Sequence, residues 1–316
     1  MPDAYENFSL SIVIPVFNNQ ESIKPLVVEL EELLRELGKT QSTEILFIDD
    51  GSVDSSVKEI QEVISTSSLK IHLIKLAKNF GQVSAHFAGY ERASGLNIVT
   101  ISADLQDPVD LIREFISFRN SGYELVVGHR EERDDGVFRR FTSKLAYKLA
   151  SIGNPAMPTG GFDYFLMSQR IKIILTEQFG QVRFIQGALM SLGLPLKLVG
   201  YRRRSRPYGK SGWTFQKKLR LLADIFIESS TIPLRLASGF GIIILTLGAV
   251  VFAYVVYGKI TNQIPFNGFA LIMGSLMIFH GSIIIFLGII GEYLIVFFER
   301  MSPKKRFIVE NEKNGE

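Results

Sequence analysis

The chain has 316 residues, a net charge of +3 and 47% hydrophobic residues, and it contains no cysteine. The lack of cysteine excludes disulfides, thiolate nucleophiles and cysteine-based zinc or iron–sulfur sites. Its four histidines are scattered without the spacing of metal ligands, so a bound metal would be held by oxygen atoms, which favours Mg²⁺ or Mn²⁺.

The first half of the chain alternates apolar runs of strand length with segments of helical period. Because the runs are nearly continuous, like strands buried on both faces, they predict an α/β domain with a mostly parallel sheet. Ligands of such sheets bind beyond the carboxyl ends of the strands. The predicted strands are Leu10–Phe17, Glu44–Ile48, Ile71–Leu76, Asn97–Ile101 and Glu124–Val127. The predicted helices are Ser22–Leu37, Asp54–Ser65, Gln82–Ala93 and Pro108–Asn120.

Further elements follow residue 130. We expect a basic amphipathic helix at Phe138–Ile152 and a short strand at Phe162–Met167, separated by a segment rich in proline and glycine. Arg183–Leu194 has a helical pattern, and Leu196–Arg203 reads as a strand that runs into a basic loop. Thr214–Ser230 again has a helical period.

Two long apolar segments, Leu234–Tyr257 and Phe266–Phe298, predict membrane spans. Each exceeds the roughly 20 residues that cross a bilayer; a buried core helix is the alternative. Basic residues flank the pair on both sides, which favours a two-span membrane protein, expected in the cell inner membrane, with its N-terminal domain and both termini in the cytoplasm. The predicted domains are residues 1–212, a juxtamembrane segment 213–233, an anchor 234–300 and a cytoplasmic tail 301–316.

Small residues recur in the second predicted span. Gly274, Gly281 and Gly288 stand seven residues apart and favour helix packing and self-association, although glycine is also frequent in membrane helices in general. The tail after Val309 is acidic and polar, and we expect it to be disordered.

Polar motifs end the first two predicted strands. Pro15–Asn18 is at the end of the first, and Asp49–Asp54 is at the end of the second. Two consecutive acids at a strand end can accept hydrogen bonds from a nucleobase or ribose, while Gly51 permits a tight turn and Asp54 can cap the next helix. An ordinary Asp-Gly turn explains the second half of this motif equally well, but not the two acids.

A third motif, Ser102–Pro108, ends the fourth predicted strand. If the strand continues, Asp104 and Gln106 point the same way and present oxygens to one cation. Mg²⁺ and Mn²⁺ commonly bind through one or two carboxylates together with substrate phosphates. Asp107, before a proline, is interpreted as the N-cap of the following helix.

Together these segments resemble the family-2 glycosyltransferases of GT-A fold, and among them the polyprenyl-phosphate glycosyltransferases. The resemblance covers about Leu10 to Arg220, and the two predicted spans match the anchor of the bacterial branch. The segments that carry it are Ile14–Asn18, Asp49–Asp54, Asn79–Gln82, Ala103–Pro108, Gly128–Arg130, Gly161–Asp163 and Arg206–Ser211. Ser102 departs from the pattern, because many members carry an acid there.

The resemblance implies roles for the matching residues. Asp104 and Gln106 would bind the metal, and Asp104 and Asp163 would be catalytic. Arg206, Lys210 and Ser211 would take phosphate from the donor, the acceptor or both. The residues implied to bind the nucleotide-sugar are Pro15, Phe17, Asp50, Ser52, Lys78, Asp104, Gln106 and Arg130.

Structural alternatives accompany two of these residues and also apply to one histidine. Asp163 can instead be a turn carboxylate bonded to backbone, and Arg130 can instead form a surface ion pair with Glu131 or Glu132. For His86, which lies in a helical pattern, a core or surface role is favoured over catalysis.

The segment Arg202–Arg220 holds eight basic residues and no acid. It can grip anionic lipid headgroups, bind the acceptor phosphate, or serve only as a topology determinant. Because it directly precedes a predicted span and no nucleic-acid-binding motif surrounds it, nucleic acid is not an expected partner.

The resemblance implies an inverting transfer of a hexose, with glucose from UDP-glucose favoured, to undecaprenyl or another polyprenyl phosphate. The acceptor phosphate is largely ionised near neutral pH, since its second pKa is about 6, so Asp163 would orient a sugar hydroxyl or stabilise positive charge. Transfer of mannose from GDP-mannose is the close alternative. A processive polysaccharide synthase lacks support, because no Gln-x-x-Arg-Trp motif follows the third motif. A non-catalytic membrane scaffold is the alternative from another class.

Overall fold

The computed structural model describes residues 10–130, 162–178, 182, 184–204, 268–301 and 306–314, together with a few positions between 243 and 261. The predicted helices Phe138–Ile152 and Thr214–Ser230 lie outside the described residues, as does most of the first predicted span. The chain divides into two compact units. The first holds residues 1–218 and 303–316, and the second holds residues 219–302.

The described strands of the first unit form one eight-stranded sheet in the order β7-β5-β6-β4-β1-β2-β3-β8. Only β6 and β8 run against the other strands, so the prediction of a mostly parallel α/β sheet is confirmed. The strands are β1 Leu10–Val16, β2 Thr43–Asp49, β3 Lys70–Leu76, β4 Asn97–Thr100, β5 Leu125–Arg130, β6 Tyr164–Ser168, β7 Leu196–Tyr201 and β8 Val309–Asn314.

Helices cover both faces of this sheet. In the first 130 residues the observed elements differ from the predicted ones by three residues at most at either end. The helix that directly follows β6 was not predicted. The helices are α1 Gln20–Glu36, α2 Ser56–Thr66, α3 Gln82–Arg92, α4 Leu111–Asn120, α5 Gln169–Gln178, α6 Ile185–Ser191 and, in the second unit, α7 Phe269–Met301.

The alternation of side chains along the strands produces two cores. In β1, Ile12 and Ile14 pack on one face with residues of α1, α2 and α4. Val13, between them, packs on the other face with α3, α5 and α6. Gly89 lets α3 approach this second face closely, because a Cβ there would lie 2.3 Å from Cγ1 of Val13. The sheet is therefore buried on both sides, as the continuous apolar runs predicted.

The C-terminal segment corrects one expectation. The acidic tail after Val309 was expected to be disordered, but Val309–Asn314 forms β8, antiparallel to β3 at the edge of the sheet. Lys75 of β3 pairs with Glu310 at 2.9 Å, and Arg92 of α3 pairs with Glu312 at 3.0 Å. An edge strand with one exposed side accepts charged residues, which is why a polar composition did not prevent pairing here.

The residues just before β8 are held by the same domain. Phe307 is buried in the core beside α3, and the guanidinium of Arg306 lies 4.4 Å from the centroid of the Phe87 ring. The Ala77 N–H, directly after β3, donates to the Ile308 carbonyl at 2.9 Å. Residues 306–314 therefore pack against the domain and extend the sheet at its β3 edge.

In the part of the chain that the structure describes, no helix has both the length and the hydropathy needed to cross a membrane. The spans Leu234–Tyr257 and Phe266–Phe298 stay predictions. The glycine stripe also stays a prediction; of its residues, Gly288 has open space where a Cβ would lie.

Candidate active site

Most candidate residues lie at the carboxyl edge of the sheet, where β1 to β5 and β7 end and β6 begins. Three loops after β1, β2 and β3 interlock there, at residues 17–20, 50–55 and 77–81. The Asn18 N–H donates to Oγ of Ser52 at 3.0 Å, and the Val53 N–H donates to Oδ1 of Asn18 at 3.0 Å. Asn18 has a φ of 57°, a left-handed conformation that asparagine tolerates better than most residues. We call these three segments the interlocked loops.

Asp50 is buried at the centre of the interlocked loops. Its Oδ1 accepts the Phe80 N–H at 2.7 Å, and its Oδ2 accepts the Gly81 N–H at 2.9 Å. Burial raises the pKa of Asp50 to about 6, although the two N–H donors act in the opposite direction. Asp50 thus joins the β2 loop to the start of α3. Its predicted contact with a nucleoside stays a prediction.

Asp49 has a comparable structural task. It is fully buried, and both of its carboxylate oxygens lie within 3.3 Å of the Ser52 N–H that donates to them. Burial raises the pKa of Asp49. The two consecutive acids therefore hold backbone N–H groups. Because side-chain oxygens at strand ends satisfy such groups, hydrogen bonds within the protein shape this half of the site.

The exposed candidates of this half lie around these acids. Phe17 is 45% exposed at the end of β1, and Pro15 is half-buried below it. Lys78 is exposed, with its Nζ 5.2 Å from the centroid of the Phe80 ring. An aromatic face and a cation at one edge suit a nucleotide, whose base can stack and whose phosphates are anionic.

The third motif has a different geometry from the one expected. β4 ends at Thr100, and Leu105 has a φ of 59°, so the strand does not continue and the alternation argument is wrong. Asp104 is instead held in a bend, where its Oδ1 accepts the Gln106 N–H at 3.2 Å. The Gln106 side chain turns toward Arg204, and its Nε2 donates to the Arg204 carbonyl at 3.3 Å. The backbone carbonyl of Gln106 accepts the Arg204 N–H at 2.9 Å.

Asp107 is also placed differently. Helix α4 begins at Leu111 and Asp110 is its N-cap residue, so the interpretation of Asp107 as N-cap is wrong. Asp107 is buried and its Oδ1 accepts the hydroxyl of Tyr201 at 2.6 Å. Burial raises the pKa of Asp107 and of Tyr201. Arg203 lies between two acids, with Nη2 3.6 Å from Asp104 and Nε 3.8 Å from Asp107.

Asp163 lies beside Arg130, because it directly precedes β6, which runs antiparallel to β5. Nη2 of Arg130 donates to Oδ2 of Asp163 at 3.3 Å. Gln186 of α6 donates from Nε2 to Oδ1 of Asp163 and to the Phe162 carbonyl, each at 3.0 Å. Burial lowers the pKa of Arg130, but the Asp163 carboxylate and the neighbouring Tyr201 and Asp107 raise it more.

These contacts bear on the alternatives for Asp163 and Arg130. Within the described residues, Asp163 accepts hydrogen bonds from the side chains of Arg130 and Gln186. The roles of both residues stay predictions. Arg130 pairs with Asp163; Glu131 and Glu132 lie outside the described residues. We call the acids and guanidinium groups of this half the charged rim, which comprises Asp104, Asp107, Arg130, Asp163 and Arg203.

Sequence reasoning missed several members of this half. Arg203 was seen only as part of the basic segment, and neither Tyr201 nor Gln186 carried a local signal. Arg206, Lys210 and Ser211, expected to bind phosphate, lie outside the described residues. Among the described residues, no group of three acidic or histidine side chains could by itself hold a metal ion.

Comparisons with known proteins identify the family. The profile described as "Glycosyl transferase family 2" matches residues 11–181, more than half of the chain. YkcC, an uncharacterised glycosyltransferase of Bacillus subtilis (strain 168), is 30% identical over 302 residues, which cover 95% of this chain and 93% of the relative. The bactoprenol glucosyl transferase of Shigella phage SfV is 29% identical over 306 residues, which cover 96% of this chain and 99% of the relative.

Among solved structures, the chain resembles a mannosyl-3-phosphoglycerate synthase from Rubrobacter xylanophilus, with 15% identity, a TM-score of 0.49 and coverage of 72% of this chain and 74% of that one. The mostly parallel sheet agrees with the GT-A fold that the motifs imply. The profile match extends from β1 past β6 and so includes the interlocked loops and Asp163. The chain therefore belongs to glycosyl transferase family 2 and is a glycosyltransferase.

Proposed function

We propose that the protein transfers glucose from UDP-glucose to undecaprenyl phosphate or a related polyprenyl phosphate. Relatives named bactoprenol glucosyl transferase match this chain over nearly their whole length. The lipid acceptor is also favoured by the basic segment that leads into the first predicted span. A cytoplasmic membrane face, two spans and association of copies through the glycine stripe belong to the same proposal.

The observation that carries the proposal is the charged rim. Two guanidinium groups, of Arg130 and Arg203, each lie within 4 Å of a carboxylate at the carboxyl edge. Guanidinium groups are suited to bind phosphate oxygens in pairs. A carboxylate beside each of them suits a cation or a sugar hydroxyl. A nucleoside diphosphate sugar and a lipid phosphate need this mixture of charges.

We place the nucleoside of the donor at the interlocked loops. Phe17 is exposed for stacking, and Pro15 and Ser52 lie in the same loops. Lys78 and Arg130 would then meet the phosphates. Asp50 would contribute indirectly, because its two oxygens already hold the turn that begins α3.

The charged rim suits a divalent cation, Mg²⁺ or Mn²⁺, that takes only one or two of its ligands from the protein. Asp104 offers a carboxylate at the bend, and the Gln106 side chain retains its carbonyl oxygen, since its bond to Arg204 uses the amide nitrogen. Mg²⁺ is often held by one or two carboxylates plus substrate phosphates and water. Such a cation, when bound, neutralises negative charge on the diphosphate leaving group. Arg203, beside Asp104, would contact the same phosphates.

In this proposal Asp163 orients the reacting sugar. It is 39% exposed, and Arg130 and Gln186 fix its two oxygens. Because the acceptor phosphate is already ionised, Asp163 need not remove a proton and instead accepts a sugar hydroxyl or stabilises positive charge at the anomeric carbon. Attack by the phosphate from the opposite side gives inversion. Arg206, Lys210 and Ser211 would hold this phosphate.

The test is transfer of labelled glucose from UDP-glucose to undecaprenyl phosphate with Mg²⁺ or Mn²⁺, by the full chain in detergent. We expect a lipid-extractable product that Asp104→Asn reduces at least about a hundredfold, the scale of losing a metal ligand or a charge-stabilising group. Asp110→Asn, which changes an exposed acid just before α4, is the matched control and should retain activity.

The alternatives give different outcomes. Lipid product from GDP-mannose but not from UDP-glucose would keep the reaction and replace the sugar. No lipid product from any donor, with no nucleotide-sugar binding, would favour a membrane scaffold and overturn the proposal.

A further inference from the structure

A buried histidine lies below the charged rim. His86 is on α3, is 5% exposed, and stacks on Tyr90 with ring centroids 6.0 Å apart. The hydroxyl of Tyr90 is hydrogen-bonded to Oγ1 of Thr100, the last residue of β4, at 3.0 Å. Because α3 begins at the carboxyl end of β3 and runs back along the sheet, His86 lies one turn nearer the carboxyl edge than Tyr90.

A contact of α6 places Asp163 on the same side of the sheet. Asp163 lies in a bend directly before β6 and accepts a hydrogen bond from Nε2 of Gln186 at 3.0 Å. Helix α6, which carries Gln186, packs in the same core as α3. Thr100 pairs with Phe165 of β6, so Asp163 lies beyond Thr100 toward the carboxyl edge. The Asp163 carboxylate also acts electrostatically on His86 and Tyr90, in each case raising the pKa. The path along α3 and the contact from α6 therefore bring His86 and Asp163 to the same part of the edge.

His86 has an unused hydrogen-bonding atom. Its Nε2 is buried and has no hydrogen-bond partner among the described residues. A buried polar atom without a partner is unfavourable, and natural proteins retain few of them. Burial lowers the pKa of His86 to about 4, against the opposing effect of Asp163, so the ring is neutral near neutral pH. A neutral imidazole can donate one N–H without adding charge.

We propose that His86 is a positioning residue for Asp163, and that its Nε2–H replaces Arg130 as a donor to the carboxylate when Arg130 turns to the donor phosphates. The bond from Arg130 to Asp163 is long, at 3.3 Å, and the Arg130 side chain is 28% exposed, so a phosphate can compete for it. Gln186 keeps the other oxygen in place during the exchange. The groups that face Asp163 are then Arg130, Gln186, His86 and Tyr90.

This inference rests on the proposed function for its kinetic consequence, but its structural part can be tested without a substrate. Arg130→Met removes the competing donor, so His86 should then bond to Asp163. In protein labelled with ¹⁵N-histidine, we expect Arg130→Met to shift the His86 ring nitrogen signals. Arg130→Met with Asp163→Asn should shift them by a clearly different amount. His86→Gln assigns the signals, and His72, beside Glu44 at 3.7 Å, gives an internal reference.

Kinetic measurements distinguish a positioning role of His86 from a purely structural one. His86→Phe should lower kcat about tenfold, the scale of one lost hydrogen bond, while KM for the nucleotide-sugar changes little. His86→Gln keeps an N–H at similar reach and should restore most of kcat. Equal losses in both variants, or no loss in either, would overturn the inference. So would an unchanged His86 signal in Arg130→Met. Absence of glucose transfer by wild-type protein would instead overturn the proposed function, and the ¹⁵N result would still decide the role of His86.

Discussion

The two halves of the carboxyl edge are held together by different kinds of bond. In the interlocked loops, carboxylate and amide oxygens of Asp49, Asp50 and Asn18 accept backbone N–H groups. In the charged rim, Asp163 and Asp104 face guanidinium groups of side chains. Backbone donors are fixed by the chain path, whereas a guanidinium can turn to another anion.

We therefore expect the interlocked loops to set the shape of the site and the charged rim to carry its chemistry. The interlocked loops are held by hydrogen bonds within the protein, so a change there should disturb folding and binding together. The rim contains charges that a diphosphate and a cation can replace, so a change there should alter activity with little effect on stability. Substitutions in the two halves should therefore differ in their effects on activity and on stability.

Asp163→Asn should lower kcat about a thousandfold, since it removes a charge that orients or stabilises the reacting sugar. Because Asp163 is more than one-third exposed, we expect the free energy of unfolding to change by less than about 1 kcal/mol. Transfer assays and urea unfolding of the same preparations measure both quantities. A loss of stability as large as the loss of activity would contradict the division between the two halves.

Gly51→Ala should destabilise the interlocked loops by about 3 kcal/mol, through backbone strain and overlap. Gly51 has a φ of +72°, and a Cβ there would lie 2.7 Å from the backbone nitrogen of Asn79. Gly38→Ala is the matched control, because Gly38 has a φ of +63° and no atom within 4 Å of a Cβ. It should cost only about 1 kcal/mol. Equal losses in urea unfolding would show that conformation alone, without the close approach, sets the cost.

The sequence predicted the interlocked half better than the rim. Strand and helix periods are local, and the motif Asp49–Asp54 carries its own turn glycine, so the positions of these loops followed directly. The direction of the Asp50 side chain did not follow, because its donors, the N–H groups of Phe80 and Gly81, belong to a loop about thirty residues away.

The rim depends on contacts that local patterns do not contain. Arg130 meets Asp163 because β6 inserts antiparallel between β4 and β5, and the Tyr201–Asp107 bond joins residues 94 positions apart. The error at Asp107 has the same origin, since a motif of acid and proline predicts an N-cap unless a distant tyrosine claims the carboxylate. β8 was missed because its partner, β3, lies more than 200 residues earlier.

Asp50 should give stability a measurable pH dependence. Its folded pKa, about 6, exceeds its ordinary value of 3.8, so between these values the folded protein binds more protons than the unfolded chain. The contribution of Asp50 is fully present below about pH 4 and is lost as pH rises through about 6. The free energy of unfolding of wild type, relative to Asp50→Asn, should fall by on the order of 2 kcal/mol across this window.

Urea unfolding of both proteins between about pH 4 and pH 7 measures this difference. Asparagine cannot accept both N–H groups, so Asp50→Asn should also lose a contribution to stability that does not depend on pH. The informative quantity is therefore the change with pH of the stability difference between the two proteins. A relative stability that rises with pH would mean that the bonds from Phe80 and Gly81 outweigh burial.

The smallest effect is expected at an ion pair next to the charged rim. Glu29 of α1 pairs with Nη1 of Arg204 at 2.9 Å, but both side chains are more than one-third exposed. Glu29→Gln should therefore change the free energy of unfolding by less than about 0.5 kcal/mol, and the change should vanish at high salt. The Arg204 backbone stays in place because its N–H and carbonyl are bonded to Gln106.

Glu31→Gln on the same helix is the control, because Glu31 accepts a hydrogen bond from the Ser68 hydroxyl at 2.6 Å instead of pairing with a cation. Its effect should not depend on salt. If Glu29→Gln costs more than about 1 kcal/mol at high salt, where exposed pairs are screened, the Arg204 side chain has a structural role. This side of the site would then be held in one conformation, as the interlocked loops are. Only Arg130 and Arg203 would be able to exchange a carboxylate partner for a phosphate.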